Sequence, residues 1–252
     1  MFMTIAHERP SARRVEVPRN GSAILEARSK ARARLHAAIP ERYSPWLHLG
    51  ASTGVGLVAL IVGVVGLHAP RAVDFLAIPI TFLLSNLFEW RAHKDLLHHR
   101  LKPFHILYDR HTPEHHMVFG YDDMAVRDWR ELRLVLIPAF GVAGIVVMMA
   151  PIAFALAKLF NPNVGWLFLI TSALYVVGYE LSHLSYHLPP DSFIGRLSLV
   201  RILREQHRRH HHPRLMQKWN FNVTIPIGDW LHRTVVPAHV LEETLKQDRG
   251  ES

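Results

Sequence analysis

Near the end of the chain, four histidines fall within six residues, in Arg204-Glu-Gln-His-Arg-Arg-His-His-His212. On a helix, His207, His210 and His211 stand at i, i+3 and i+4, which sets His207 over both of the others on one face. Three neutral imidazoles converging from one turn make a metal-ligand set, because imidazole nitrogen suits iron, zinc, copper and nickel. Taken alone, the stretch reads equally well as a solvated basic run, with Arg208, Arg209 and Arg214 beside it. What decides is whether other clusters exist. There are three: His93 with His98; His111, His115 and His116 in Arg-His-Thr-Pro-Glu-His-His; and His183 with His187, at i and i+4.

Ten imidazoles are too many for one ion, since a zinc site uses three or four ligands. Divided over two ions they give about five each, leaving room for a bridging oxygen species. Nitrogen-only ligation with open positions favours a redox metal that handles O2, iron above all, with a dizinc or nickel site as the chemical alternative. A membrane protein that only binds or transports metal is the alternative from another class. Such a protein is expected to carry carboxylates or histidines inside its spans. HExxH is absent, which removes the zinc-protease reading, and there is no Gly-rich nucleotide loop of the GxGxxG or Walker type. The chain has no cysteine, so disulfides, thiolate zinc sites and cysteine-bound iron–sulfur clusters are excluded.

The elements that must position these histidines read as membrane helices. Of the 252 residues, 49% are apolar, but they are bunched into four runs at about 46–67, 73–90, 132–160 and 164–181. Trp46 to Leu67 contains no Asp, Glu, Lys or Arg and is long enough to span, with Trp46 at the interface. The apolar part of the second run, Val73 to Phe88, would give a helix of roughly 24 Å, short for a hydrocarbon core of roughly 30 Å. It runs directly into Glu89 and His93, as the fourth runs into Glu180, His183 and His187. Both helices are therefore expected to carry histidines out of the membrane at one shared face. Pro138 and Pro151 should kink the third run. The expected fold class is all-α: four transmembrane helices with a cytoplasmic helical cap that carries the histidines.

Charge supplies the orientation. Of the 29 Lys and Arg, only Arg71 and Lys158 fall on the far side of a four-span arrangement. The positive-inside rule then puts both termini and all four histidine clusters in the cytoplasm. The net charge of +8 is thus a topology signal, and nucleic acid is not an expected partner. Residues 1–44 divide into a Pro- and Arg-containing arm over 1–21 and a basic amphipathic helix from Ser22, its expected N-cap, to about Ile39. Ile24, Leu25, Ala31, Leu35 and Ile39 set its apolar period, with Arg28, Lys30, Arg32 and Arg34 between them. This helix is expected to lie on the membrane surface. No secretory signal is expected, because the first apolar run starts after some 45 polar residues. The domain proper is placed at 45–235. Ser192 should open an interfacial helix bearing Phe193, Ile194, Leu197, Val200 and Ile202, and 236–252 should be a polar tail without a role in the chemistry.

The four clusters resemble the histidine boxes of the fatty acid hydroxylase/sterol desaturase superfamily of membrane di-iron enzymes. The matching pieces are His93-Lys-Asp-Leu-Leu-His98, His111-Thr-Pro-Glu-His115-His116, His183-Leu-Ser-Tyr-His187 and His207-Arg-Arg-His210-His211. Asn220-Phe-Asn-Val-Thr224 and Gly228-Asp-Trp-Leu resemble the family's segment after the last box, so the likeness covers about 85–235. The second box departs slightly, with three residues between His111 and His115 where many members have two. The resemblance implies O2-dependent oxidation of an unactivated C–H bond in a fatty acyl or sterol-like lipid, with hydroxylation preferred and desaturation, which can begin with the same hydrogen abstraction, as the alternative outcome. It implies two iron ions, for which zinc could substitute in a purified protein. Electrons would come from a separate ferredoxin- or cytochrome-type donor with its reductase.

Outside the boxes, Glu180 and Asp229 are candidates to hold ligand imidazoles by their free N–H, the usual supporting role, and Asn222 is a candidate to approach a metal. His99, His105, His212 and His232 occupy no box position and are expected at the surface or in support. Tyr186 and Trp230 are expected to pack.

Overall fold

The computed structural model describes residues 21–251, with side chains from Leu25 onward. The arm expected over 1–21 therefore falls almost entirely outside the described residues. Among those described, all regular structure is helical. We number the helices α1 (Gly21–Ala37), α2 (Pro45–Val65), α3 (Ala72–Leu97), α4 (105–118), α5 (Trp129–Leu159), α6 (Pro162–His187), α7 (Ser198–His210), α8 (Ile227–His232) and α9 (Ala238–Arg249). Four of them, α2, α3, α5 and α6, are long and apolar enough to cross a membrane.

Two of these spans run further than their apolar runs. The second continues to Leu97, past the expected end at 90, and the fourth to His187, past 181. Backbone hydrogen bonds carry a helix on after its apolar stripe ends, so His93, His183 and His187 ride on the spans themselves. The third starts at Trp129 and is interrupted at 136–138, where Leu136 is extended and Pro138 precedes the fresh start at Ala139. Pro138 therefore breaks the helix, whereas Pro151 sits inside the continuous segment Ala139–Leu159.

Close approach of α2 and α6 depends on small residues. The buried face of α2 carries Ser52, Gly56, Ala59 and Gly63, one every three to four positions. A Cβ at Gly56 would lie 2.1 Å from Val177, and one at Gly63 would lie 2.4 Å from Ile170. In lipid there is no hydrophobic drive between apolar helices, so this small-residue seam lets dispersion hold them.

The N-terminal helix corrects the sequence expectation. Ser22 lies within it and is not its N-cap, and it buries arginines. The Arg32 guanidinium forks onto the Glu131 carboxylate at 2.7 and 2.6 Å and also donates to the Ala125 carbonyl at 2.7 Å. Arg28 is buried as well, whereas Leu25 is exposed. A surface-lying helix would show the reverse. Paired acids on the cap draw Arg28 and Arg32 inward together with Leu35 and Ile39, while Lys30 and Arg34 stay exposed, so α1 packs on the protein. Removing one partner would strand a buried charge, which costs about 3–5 kcal/mol. Glu131→Ala is therefore expected to lower the thermal midpoint in detergent sharply, and Arg32→Met with Glu131→Leu to recover most of the loss. Equal midpoints for wild type and Glu131→Ala would show that the pair does not anchor α1.

The far end differs too. Ser192 opens only turns, and the helix starts at Ser198. Phe193, Ile194, Leu197, Leu199 and Ile202 are nonetheless exposed on its outer side, as an interfacial helix requires. Residues 238–249 form α9, which docks on the end of the last box: His212 meets Asp248 at 2.6 Å, and Arg214 bonds Gln247 at 2.8 Å. The C-terminal segment is part of the folded unit, not a loose tail.

A candidate double metal centre

All ten box histidines are brought together at one end of the four spans, each no more than 8% exposed. They form two groups of five. His93, His98, His111, His116 and His210 make the first, and His115, His183, His187, His207 and His211 make the second. Within a group, one ring nitrogen from every member lies within 4.8 Å of all the others. The groups share a wall, where His116 of the first stacks on His211 of the second at 4.2 Å between ring centroids.

Helix geometry sorts the histidines. His183 and His187, and likewise His207 and His211, are i, i+4 pairs on regular α-helix and share the second group. His93 and His98, and likewise His111 and His116, are i, i+5 pairs and share the first group. Each of these spans a π-helical turn, at His93–Leu97 and His111–His115. In the second turn the His116 N–H reaches the His111 carbonyl, the i→i+5 bond of a π-bulge. The extra residue that distinguishes the second box is absorbed there.

Backbone carbonyls fix the ring tautomers. A carbonyl only accepts, so an Nδ1 bonded to one must carry the proton and leave Nε2 with a bare lone pair. His115 Nδ1–H donates to Leu134 at 2.9 Å, His187 to Met124 at 2.8 Å, His210 to Trp219 at 2.9 Å and His211 to Phe119 at 2.5 Å. His93 donates to the Phe221 carbonyl. Such outer partners orient ligand imidazoles and raise their basicity.

The Nε2 atoms then face one another. His93 Nε2 lies 2.9 Å from His111 Nε2, His98 Nε2 is 2.9 Å from His210 Nε2, and His207 Nε2 is 2.9 Å from His211 Nε2. His115 and His183 are 3.2 Å apart in the same way, while the buried Nε2 of His187 has no partner. A cation lying between two such nitrogens would take a lone pair from each. Two imidazole nitrogens at about 2.1 Å from one ion and at right angles are about 3.0 Å apart. The donor set thus fits one transition-metal ion per group.

Burial also keeps the rings neutral, which is the ligand form. It pulls His115 and His210 down to about 4, and it pulls His98, His111, His116, His207 and His211 well below the ordinary histidine range, with neighbouring imidazoles adding to the effect.

The supporting residues differ from the sequence expectation. Glu180 touches no imidazole; its carboxylate accepts the Ile137 backbone N–H at 3.2 and 3.0 Å, bracing the break in α5. Asp229 likewise touches no imidazole. It accepts the N–H groups of Phe221 and Asn222, both at 2.9 Å, and the Thr234 hydroxyl at 2.6 Å. Asp229 therefore holds the loop whose Phe221 carbonyl orients His93. Asn222 bonds the Asn86 carbonyl at 3.1 Å and the Asp229 N–H at 3.0 Å, which uses its amide away from the histidines. Carboxylates and amides here organise backbone, and five of the rings take carbonyls as their Nδ1 partners.

The supporting role of Glu89 and Asn86 on α3 was not read from the sequence. Glu89 accepts from the Thr224 N–H at 3.1 Å and the Thr224 hydroxyl at 2.5 Å, and Asn86 donates to the Ile225 carbonyl at 2.7 Å. Together they fasten the same loop to the span. A polar pair three residues apart, one turn before His93 and otherwise among apolar residues, was the available signal.

Of the remaining histidines, His99 and His105 are exposed, His232 stacks on Trp90 at 3.8 Å, and His212 is buried against Asp248. Tyr186 is buried, but Trp230 is 62% exposed and does not pack as expected.

Four membrane-length helices with two five-histidine groups gathered at one end define a metal-binding membrane protein of the histidine-box class. A family model, Fatty acid hydroxylase, matches residues 78–234, which takes in every box and the loop held by Asp229. The chain belongs to the fatty acid hydroxylase family. No curated protein and no solved structure gives a significant match.

Proposed function

We propose that the protein is an O2-dependent, di-iron lipid hydroxylase whose site faces the cytoplasm. The observation that carries this reading is the pair of five-histidine groups, buried and side by side at one end of the spans, in a chain of this family. His93, His98, His111, His116 and His210 would hold one iron, and His115, His183, His187, His207 and His211 the other. Bound iron supplies the activation of O2 and the C–H oxidation that protein side chains alone cannot perform.

The chain's own part is positioning and exclusion. Carbonyls of Phe221, Leu134, Met124, Trp219 and Phe119 hold five rings in one tautomer, so that no ligand proton has to leave when metal binds. Burial of the rings keeps bulk water from them. Val200 and Leu203 of α7 and Tyr179 of α6 all pack against the buried cluster of Met124, Tyr186 and Val223, and the Tyr179 ring lies 5.9 Å from that of His183. A lipid chain entering sideways from the bilayer under α7 would meet this apolar wall first. The exposed apolar residues 193–202 would keep α7 at the membrane surface while it does so.

The reaction consumes O2 and two electrons per hydroxyl formed, with two protons and release of water. A chain without cysteine or a nucleotide-binding loop needs a separate one-electron donor, of ferredoxin or cytochrome type. The bias of Lys and Arg supports placing the site and that donor in the cytoplasm. The test is comparative lipidomics under ¹⁸O₂ in cells expressing wild type or His210→Ala. A lipid bearing one ¹⁸O hydroxyl should be present with wild type and absent with the variant. A desaturated product without label would turn the reading to desaturation, and unchanged lipids would reject oxygenase activity.

A further inference from the structure

On the same end of the molecule as the histidines, a cavity of about 400 Å³ opens between the start of α2 and the restart of α5 at Ala139. Arg42, Arg110 and Arg133 line it, and no Asp or Glu does. Many other arginines have acidic partners: Arg32 pairs with Glu131, Arg71 with Asp74, Arg100 with Asp109, Arg208 and Arg209 with Glu205. The three in the cavity have no ion-pair partner among the described residues, and Arg42 and Arg133 donate no side-chain hydrogen bond there. Arg110 uses one N–H on the Arg133 carbonyl at 2.8 Å, which holds the two cations side by side.

The neutral polar groups in the cavity are already engaged. His48 Nε2–H donates to the Ile137 carbonyl at 3.2 Å, and its Nδ1 accepts the Tyr43 hydroxyl at 2.8 Å. Ser44 caps α2 through the Leu47 N–H at 3.2 Å. The guanidinium groups are left for a ligand. Two 21-residue helical segments, Pro45–Val65 and Ala139–Leu159, begin at the cavity and add partial positive charge. Its remaining wall is apolar and outward-facing, with Leu47 at 72% and Phe140 at 76% exposure. A site with cations at the head and bare hydrocarbon leading away along two spans suits an amphiphile.

We propose that this cavity binds the phosphate of an anionic phospholipid, with acyl chains lying along Leu47 and Phe140. Arginine is the residue suited to phosphate, because its fork matches two oxygens at once. Basic pockets between spans are where anionic headgroups bind. The site is separate from the histidine groups and does not depend on the reaction assigned to them.

Thermal midpoints of the full-length, metal-loaded protein in mixed micelles test the proposal. Phosphatidylglycerol is expected to raise the wild-type midpoint by about 4 °C or more over phosphatidylcholine. It should co-purify at about one phosphorus per chain. Arg42→Gln with Arg133→Gln should lose both effects, and Arg196→Gln with Arg201→Gln, two exposed arginines of the 193–202 surface, should keep them. Arg42→Gln alone, at an exposed position, serves should the double variant fold poorly; it should lose at least half of the shift. Equal shifts with phosphatidylcholine, equal losses in the two double variants, or inorganic phosphate reproducing the whole shift would each overturn the lipid assignment.

Discussion

Wild-type protein should carry two metal ions per chain, and His98→Ala and His187→Ala should each carry about one. His98 belongs to the first group and His187 to the second, so each substitution removes one of five nitrogens from a single ion. The loss is larger than one contact suggests. His98 Nε2 stands 2.9 Å from His210 Nε2, and His187 offers a buried lone pair that nothing else in the protein uses. Losing an outer partner alone typically costs 10–100-fold in metal affinity, and losing the ligand itself should cost more. Metal per chain, measured by mass spectrometry on purified protein, decides the matter, with His99→Ala as an exposed control that should retain two ions. If each variant lost both ions, the ten rings would be one cooperative unit and the division into two sites would be wrong. Product should vanish in both variants, because the proposed reaction needs the pair.

The second large effect is expected from a residue that touches no histidine. Asp229 is fully buried, and its carboxylate satisfies three donors: two backbone N–H groups and the Thr234 hydroxyl. Asp229→Ala leaves all three without an acceptor, at about 1–3 kcal/mol each before relaxation. The loop at 220–222 would then loosen, and the Phe221 carbonyl would no longer hold the His93 ring. Metal affinity at the first group should fall by about 10–100-fold while the second group keeps its ion. Chelator competition on the variant would show one tightly and one weakly held ion. Two ions held as tightly as in wild type would sink the idea that the loop orients His93.

Much of the site could be read from residue types and spacing. Ten imidazoles in four clusters call for more than one ion, and two apolar runs that end in histidine call for one shared face. The orientation of α1 could not be read that way. Its arginines read as the headgroup-facing stripe of a membrane-surface helix, and only the position of Glu131, 99 residues after Arg32, turns Arg32 inward. The roles of Glu180 and Asp229 were hidden for a related reason. Whether a carboxylate takes a ring N–H or a backbone N–H depends on which acceptor reaches the ring first, and here carbonyls reached it.

By itself the sequence determined the helical class, the four spans, the ten histidines and the face at which they gather. Those follow from local quantities: run length against bilayer thickness, and spacing against helical period. Only the tertiary structure decided which histidine belongs to which group. Neighbours in the chain are parted, His115 from His116 and His210 from His211, because consecutive residues on a helix point about 100° apart. Partners are instead chosen at i+4 where the helix is regular and at i+5 where a π turn adds a residue. That extra residue is visible in the second box as a count. Its consequence, that His111 joins His116 and not His115, appears only once the turn is folded against the rest of the site.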